Sequence, residues 1–271
     1  MFALIVKLTP EEQARFKIAP TNNLEAYDYY LRGWQLTWRM TKETNAQARQ
    51  MLEKAIELDP QYAGAYAGLG WTYFLEWSLQ WSTDPENLAR AEEMLQKAVV
   101  LDESLPRAHA ALGLVKLLQK QYEQATAEIE RALALDPNSA PGYENLSHIL
   151  ASVGRPEEAI EAAKKAVRLD PHQVSHLHAL GWAYVTARRY EEAIPPLKTV
   201  LTYNPNFWGA HMGLAVSYSE LGQEEEARAE GAEMLRIVPQ FSIERWKRTA
   251  PYKDPAVIER FAAAMRKAGL K

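Results

Sequence analysis

The sequence contains two groups of residues whose side chains could do chemistry, histidines and tryptophans. His172 and His176 have i, i+4 spacing, which places two potential metal ligands on one face of a helix. His172 follows the Asp170-Pro171 turn, and no carboxylate stands nearby at a third ligand position. We therefore predict that this pair lies at the surface and binds no metal.

Other residue types that enzymes use occur without the spacing that catalysis needs. The chain has no cysteine, which excludes thiol catalysis, disulfides and zinc-thiolate sites. It lacks a glycine-rich phosphate loop, a G-x-S-x-G elbow and an HExxH motif. The many Asp and Glu residues suit solvated helix faces and helix N-termini. We expect a protein that is not an enzyme and uses no cofactor.

Three series of residues recur along the chain at steps of 34 residues. The small residues of one series are Gly113, Ser147, Gly181 and Ala215. Those of the second series are Ala125, Ala159, Ala193 and Ala227. The prolines of the third are Pro137, Pro171, Pro205 and Pro239. Apolar residues three or four positions apart surround each landmark, so the period predicts an array of helix-turn-helix units.

This period and its landmarks resemble the tetratricopeptide (TPR) repeat over residues 25–239. The resemblance implies an all-α fold, a right-handed α-solenoid of six TPR helix-turn-helix repeats whose first helices line a concave face. We divide the chain into an N-terminal lead-in with a short helix at 1–24, the six-repeat array at 25–239 and C-terminal capping helices at 240–271. Small residues should let paired helices approach closely, Gly113 against Ala125 and Gly181 against Ala193.

Some repeats depart from the regular pattern. Repeat one has three additional residues, which we place in the turn between its helices, and repeat two has nine, which we place as two further turns of its first helix. Pro195 and Pro196 fall inside the second helix of repeat five and should kink it. Gly231 and Met234 exchange the usual large and small residues of repeat six, so packing should change there.

Both flanks of the array carry helix signals. The capping box Thr9–Glu12 predicts a short helix through Phe16. Beyond the array we predict a helix from Ser242, a break at Pro251–Pro255 and a final helix that covers the apolar end of the solenoid. The apolar residues on one face of that final helix are Val257, Ile258, Phe261 and Met265.

The TPR resemblance also assigns groove-facing positions in each first helix. The predicted binding residues are Tyr30, Trp34, Trp38, Trp71, Phe74, Leu114, Glu144, His148, His178, Trp182 and Met212. This row is aromatic and apolar near its N-terminal end and more polar at its centre. An exposed row of this kind is typical of a partner site. The alternative is that the N-terminal segment, or the helices with Trp77 and Trp81, cover the groove.

TPR domains that bind the acidic tails of chaperones use a clamp of lysine and asparagine at defined positions of their first helices. At those positions this chain has Tyr30, Trp34, Ala67 and Trp71. Recognition of such a tail is therefore disfavoured.

The segments that flank the repeats resemble the C-terminal TPR regions of bacterial class III adenylate/guanylate cyclases and of TolB-like or winged-helix regulators. The motifs concerned are LTPEEQARF, PTNNLEAYDYYLRG, APYKDP and RKAGL. The resemblance implies that the chain is the sensor or scaffold part of a larger signalling protein. It implies a cytoplasmic location, or a periplasmic one if the parent protein is anchored in a membrane.

We predict a protein-protein interaction scaffold that binds a peptide or protein in the concave groove through Trp34, Trp71 and Trp182. The alternative is a regulatory or self-association domain of a nucleotide cyclase or transcription regulator, which would form a homo-oligomer. A net charge of −4 gives no general attraction to nucleic acid, and the basic residues after Arg228 alternate with core positions. The opening run MFALIV is too short to insert into a membrane.

Overall fold

The computed structural model describes residues 21–79, 81–82, 84 and 86–271. The helix predicted at Thr9–Phe16 lies outside this part of the chain. The described residues form fourteen helices and no strand. They belong to two compact units, residues 1–111 and 112–271.

The first unit contains the helices of the first two repeats. These helices are α1 (Leu24–Thr37), α2 (Lys42–Leu58), α3 (Ala63–Ser78) and α4 (Asn87–Leu101), and α5 (Pro106–Leu118) begins at the end of this unit. Helix α2 packs on α1 and α3, and α3 packs on α4. The Asn23 side chain accepts hydrogen bonds from the N–H groups of Glu25 and Ala26, which explains why α1 begins where it does.

The second unit continues the same alternation and adds two helices at its end. Its helices are α6 (Tyr122–Leu135), α7 (Ala140–Ser152), α8 (Pro156–Leu169), α9 (Val174–Thr186), α10 (Tyr190–Tyr203), α11 (Trp208–Glu220), α12 (Glu224–Ile237), α13 (Ile243–Thr249) and α14 (Pro255–Lys267). First helices of 13 residues alternate with second helices of 14 residues up to Ile237. The predicted all-α helical-repeat fold is confirmed.

The structure corrects both placements of the inserted residues. Helix α2 has 17 residues where the second helices of repeats three to six have 14, so the insertion in repeat one lengthens a helix rather than the turn. Helix α3 has 16 residues where the first helices of repeats three to six have 13, which is less than one additional turn. The two further turns predicted for α3 are therefore wrong, and most of the insertion lies in the connection to α4.

Glycines of the first helices allow close packing against the second helices. A methyl group at Gly113 would lie 3.1 Å from the Ala125 carbonyl oxygen, which agrees with the predicted approach. A methyl group at Gly181 would lie 2.5 Å from Cγ of Leu197. Gly181 therefore makes room for a leucine side chain, and Ala193 is not its nearest neighbour.

Helix α10 runs from Tyr190 to Tyr203 through both prolines. Pro195 and Pro196 lack the N–H groups that would bond to the preceding turn. The two prolines do not end the helix, and the predicted kink within it stays a prediction. The buried side chains of Leu197 and Val200 continue its apolar face beyond the prolines.

The C-terminal helices form as predicted. The Ser242 hydroxyl caps α13, and the Asp254 carboxylate accepts a hydrogen bond from the N–H of Ala256 at the start of α14. Phe261 and Met265 are fully buried, and α14 packs on α11 and α12. This final helix is part of the hydrophobic core of the second unit.

Gly231 explains the altered packing predicted for repeat six. A methyl group at this position would lie 2.2 Å from the carbonyl oxygen of Ala268, at the end of α14. The backbone of the C-terminal segment thus occupies the space that a side chain would need. Met234 is fully buried in the same cluster.

We expect Gly231→Ala to lower the free energy of unfolding by about 1–3 kcal/mol, because the new methyl group must displace backbone. Helix propensity alone would give the opposite sign, a gain of about 1 kcal/mol. Urea denaturation followed by circular dichroism measures the sign. The control is Ala232→Gly on an exposed position of the same helix, which should cost about 1 kcal/mol. A stabilised Gly231→Ala variant would contradict the close approach of Ala268.

Candidate partner-binding surface

Helix α1 presents a continuous row of aromatic rings. The centroids of Tyr30 and Trp34 are 6.4 Å apart with nearly parallel planes, and those of Trp34 and Trp38 are 6.1 Å apart with perpendicular planes. Trp38 is 55% exposed, and Tyr27 and Leu31 on the same side are also exposed. Helical spacing places these side chains on successive turns of one face.

Arg107 of α5 lies against this row, within the same unit. Its guanidinium is 5.4 Å from the ring centroid of Trp34 and 5.9 Å from that of Tyr30. It also donates a hydrogen bond to the Tyr30 hydroxyl. Burial raises the pKa of Tyr30 although Arg107 opposes the shift, so the phenol stays protonated at neutral pH. A cation stacked on aromatic rings adds charge selectivity to an apolar surface.

Helix α3 contributes a second pair of rings to the first unit. Trp71 stacks on Phe74 with centroids 4.8 Å apart and planes at 20°. Trp71 is half-buried, whereas Phe74 is buried. We call the set Tyr27, Tyr30, Leu31, Trp34, Trp38 and Trp71 the aromatic face.

Trp182 is the predicted binding residue that the structure removes from an open groove. It is only 9% exposed, and its indole N–H donates to the Gly209 carbonyl over 3.2 Å. Phe261 of α14 contacts it edge to face, with centroids 5.8 Å apart. The side chain is a core residue of the second unit.

The C-terminal segment covers the other predicted positions of repeats five and six. Met212 is buried, and the Ser219 hydroxyl donates to the carbonyl of Ala264 in α14 over 2.9 Å. Arg260 donates to the Thr186 carbonyl at the end of α9 over 3.4 Å. The predicted groove positions of these repeats are therefore covered by α14.

The APYKDP motif has a structural role in this cover. The backbone N–H of Lys253 donates to the Ser152 carbonyl at the end of α7 over 2.8 Å. Its ammonium lies 3.0 Å from the Glu123 carboxylate at the start of α6. Tyr252 packs edge to face on Phe261, with centroids 5.4 Å apart. The motif thus ties the last helix to repeats three and four, a role that the sequence pattern did not reveal.

Four titratable residues of repeats four and five come together between α7 and α9. His176 is 1% exposed, and its Nδ1 lies 2.5 Å from a carboxylate oxygen of Glu144, which also accepts a hydrogen bond from Ser175. The surface position predicted for His176 is therefore wrong, while His172 is exposed. The Glu144 carboxylate of the preceding repeat gives the buried imidazole a hydrogen-bond partner, which offsets the cost of burying a polar group.

His148 and His178 are the other members of this group. Their ring centroids are 6.4 Å apart, and His178 packs edge to face on Phe207 at 4.8 Å. Burial lowers the pKa of His178 to about 3 and also lowers the pKa of His148. Burial is the strongest influence on the pKa of Glu144 and raises it. The hydrogen bonds from His176 and Ser175 and the electrostatic attraction of the His148 and His176 imidazoles together outweigh burial, so the net shift is downward. His148 and His178 are thus neutral side chains at neutral pH.

Other sequence predictions can be placed briefly. Leu114 is half-buried in the second unit. Among the described residues, no group of three or more His, Asp or Glu side chains could hold a metal ion. In that part of the chain, every helix is too short or too polar to span a bilayer.

Two family models described as tetratricopeptide repeat match the chain. One matches residues 86–140 and 178–240, and the other matches residues 116–181. Together they span residues 86–240, more than half of the chain. A comparison with curated protein sequences found no significant match.

Solved helical-repeat structures are similar to this chain in fold. PilF of Pseudomonas aeruginosa is 23% identical with a TM-score of 0.56, over 82% of this chain and 96% of PilF. The type IV pilus biogenesis factor PilW is 18% identical with a TM-score of 0.57, over 76% and 89% of the two chains. The human IFIT1 dimer with m7Gppp-AAAA is 19% identical with a TM-score of 0.70, over 89% of this chain and 59% of that one. At these identities the likeness concerns the fold alone.

Proposed function

We propose that this chain is a protein-interaction scaffold whose partner docks on the aromatic face of the first unit. The premise is that the chain belongs to the tetratricopeptide-repeat family. The repeat is a non-catalytic scaffold type that generally binds proteins or peptides. The observation that carries the proposal is the exposure of Trp38, Leu31 and Tyr27 beside the stacked rings of Tyr30 and Trp34. Large aromatic side chains clustered at a surface are the residues that dominate binding energy in protein interfaces.

Of the predicted groove row, the proposed site keeps only Tyr30, Trp34, Trp38 and Trp71, and it adds the exposed neighbours Tyr27 and Leu31. Among the positions left out, Trp182 and Met212 are buried in the core cluster of the second unit, to which Phe261 of the C-terminal helix also belongs. Removing that helix would expose several fully buried side chains to water, at a cost of roughly 1.5–3 kcal/mol each. Among the residues that the structure describes, the aromatic face of the first unit is thus exposed to a partner, whereas the end of the second unit is occupied.

Selection of a phage-displayed random peptide library on the full chain tests this proposal. We expect peptides whose binding weakens at least tenfold in a Trp34→Ala/Trp38→Ala variant. Tyr203→Ala removes a 72% exposed ring on α10, outside the aromatic face, and should leave binding unchanged. Far-UV circular dichroism checks that helicity is preserved. Peptides that bind both variants equally well would refute the site.

The second candidate is a regulatory or self-association domain of a larger signalling protein. It is favoured by the flanking motifs, which resemble the TPR regions of nucleotide cyclases and transcription regulators. Light scattering at increasing concentration distinguishes this candidate, because a strict monomer would count against self-association.

A further inference from the structure

The two ends of the array have equivalent surfaces. Trp34 and Trp182 each follow the glycine of their first helix, Gly33 and Gly181. One turn earlier, Tyr30 packs edge to face on Tyr62 with centroids 5.0 Å apart and planes at 61°. His178 packs on Phe207 in the same way, at 4.8 Å and 74°. Repeats one and two thus reproduce the local architecture of repeats five and six.

On repeats five and six this surface has an occupant, the chain's own helix α14. Phe261 provides the aromatic anchor on Trp182, and the preceding Arg260 bonds to the last carbonyl of α9. Ser219 bonds to the helix backbone at Ala264. The mode of docking is a helix lying on first helices, with an arginine-aromatic pair at its centre.

On repeat one the equivalent surface is exposed, and its chemistry fits the same kind of occupant. Trp34 is only half-buried and Trp38 is more exposed than any residue of the equivalent face. Helix α1 has no basic residue in its last turn. The carbonyls of Trp34, Leu36 and Thr37 accept hydrogen bonds within the chain, from the Thr37 hydroxyl and from the N–H groups of Arg39 and Met40. The position that corresponds to Thr186, four residues after the tryptophan, is Trp38. A cation from outside would meet the Trp38 carbonyl as Arg260 meets that of Thr186.

We infer that the aromatic face receives an amphipathic helix of a partner protein, one that carries an aromatic residue directly preceded by arginine or lysine. The aromatic ring contacts Trp34 and Trp38, and the cation binds the Trp38 carbonyl at the end of α1. This inference rests on the proposed function and names the partner's chemistry.

The chain itself supplies the probe, a synthetic peptide with the sequence of residues 254–271. We expect the peptide to bind the full chain and to become helical on binding, as measured by fluorescence anisotropy and by NMR chemical shifts of the peptide. A peptide with Phe261→Ala should bind at least tenfold more weakly, and one with Arg260→Ala should bind several-fold more weakly. The Trp34→Ala/Trp38→Ala chain should lose at least tenfold, and Tyr203→Ala should lose nothing.

Several results would overturn the inference. Binding that is insensitive to Trp34 and Trp38 would mean that the peptide exchanges with the chain's own α14. A dimer in light scattering that the Trp34→Ala/Trp38→Ala variant dissociates would make the occupant a second copy. Binding that arises only after removal of residues 1–20 would make the occupant a segment of the chain itself.

The peptide library separates this inference from the proposed function. The selected peptides could depend on Trp34 and Trp38 and yet lack an arginine-aromatic or lysine-aromatic pair and bind without becoming helical. That result would refute the inferred helical partner, while the aromatic face would remain the binding site. If neither the probe nor any selected peptide depends on Trp34 and Trp38, both proposals fail.

Discussion

Replacing Phe261 with alanine should lower the free energy of unfolding of the second unit by about 3–5 kcal/mol. The side chain is fully buried and contacts the rings of Trp182, Trp246 and Tyr252. Truncation removes the transfer free energy of a phenyl group, leaves a cavity and breaks three ring contacts. The loss is large because α14 belongs to the core cluster of that unit.

Urea denaturation of the full chain, followed by tryptophan fluorescence and circular dichroism, measures this effect. Trp182 should also become accessible to a soluble quencher in the variant, because Phe261 no longer covers it. Tyr203→Ala is the matched aromatic control and should change stability by less than about 0.5 kcal/mol, since the ring is exposed. A loss below about 1 kcal/mol for Phe261→Ala would mean that α14 is an appendage and that repeats five and six can open to a partner.

Acidification from pH 6.5 to pH 5 should destabilise the second unit by up to about 2 kcal/mol through His178 alone. The unfolded chain binds a proton at this residue near its ordinary pKa of 6.5, whereas burial lowers the folded pKa to about 3. The unfolded state therefore takes up the proton first, and stability is lost as the pH falls through this window. The lowered pKa of His148 acts in the same direction.

Glu144, the carboxylate next to these histidines, lowers the stability of the second unit further when the pH falls below its ordinary pKa. Glu144 has a folded pKa below its ordinary 4.5, so its contribution is present above that pH and is lost below it. The titratable groups that act on His178 are the imidazole of His148 and the carboxylate of Glu144, and its uncharged neighbours are Trp182, Phe207 and Gly209.

Unfolding free energies at pH 7, 6 and 5 compare the native chain with His178→Gln. The variant lacks the titrating group, so its unfolding free energy should depend less steeply on pH between pH 6.5 and 5. The slope should fall by roughly 1.4 kcal/mol per pH unit, the contribution of one proton. His172→Gln removes an exposed histidine and should leave the slope as it is. A native chain equally stable at pH 5 and pH 7 would contradict the buried, neutral state of His178.

The regular repeats could be predicted because their signals are local. Each signal acts within a few residues: glycine or alanine marks a helix crossing, and proline or a carboxylate marks a helix start. Because these patterns recur every 34 residues, each of them is seen several times along the chain. The inserted residues of repeats one and two were placed wrongly for the same reason. Whether three residues lengthen a turn or a helix depends on what the neighbouring helix packs against, as α2 shows with its 17 residues.

The candidate site was predictable only in part. Tyr30, Trp34 and Trp38 follow one another along one face of α1 because of helical periodicity, and their assignment to a binding groove stays a prediction. Trp182 has the same register and the same preceding glycine, yet it is buried. The difference comes from Phe261, which is 79 positions away in the chain, a separation at which no local pattern carries information.

By itself, the sequence determined an all-α repeat chain, the helix-forming segments and the row of residues that point away from the second helices. It did so because the direction of a side chain depends on its position along a helix, and equivalent positions recur every 34 residues. Only the tertiary structure decided which part of that row stays exposed. The fold-back of α14, made possible by the missing side chain of Gly231 and held by Lys253 and Phe261, buries the row in repeats five and six. Burial depends on which distant segments meet, and that is a property of packing rather than of periodicity.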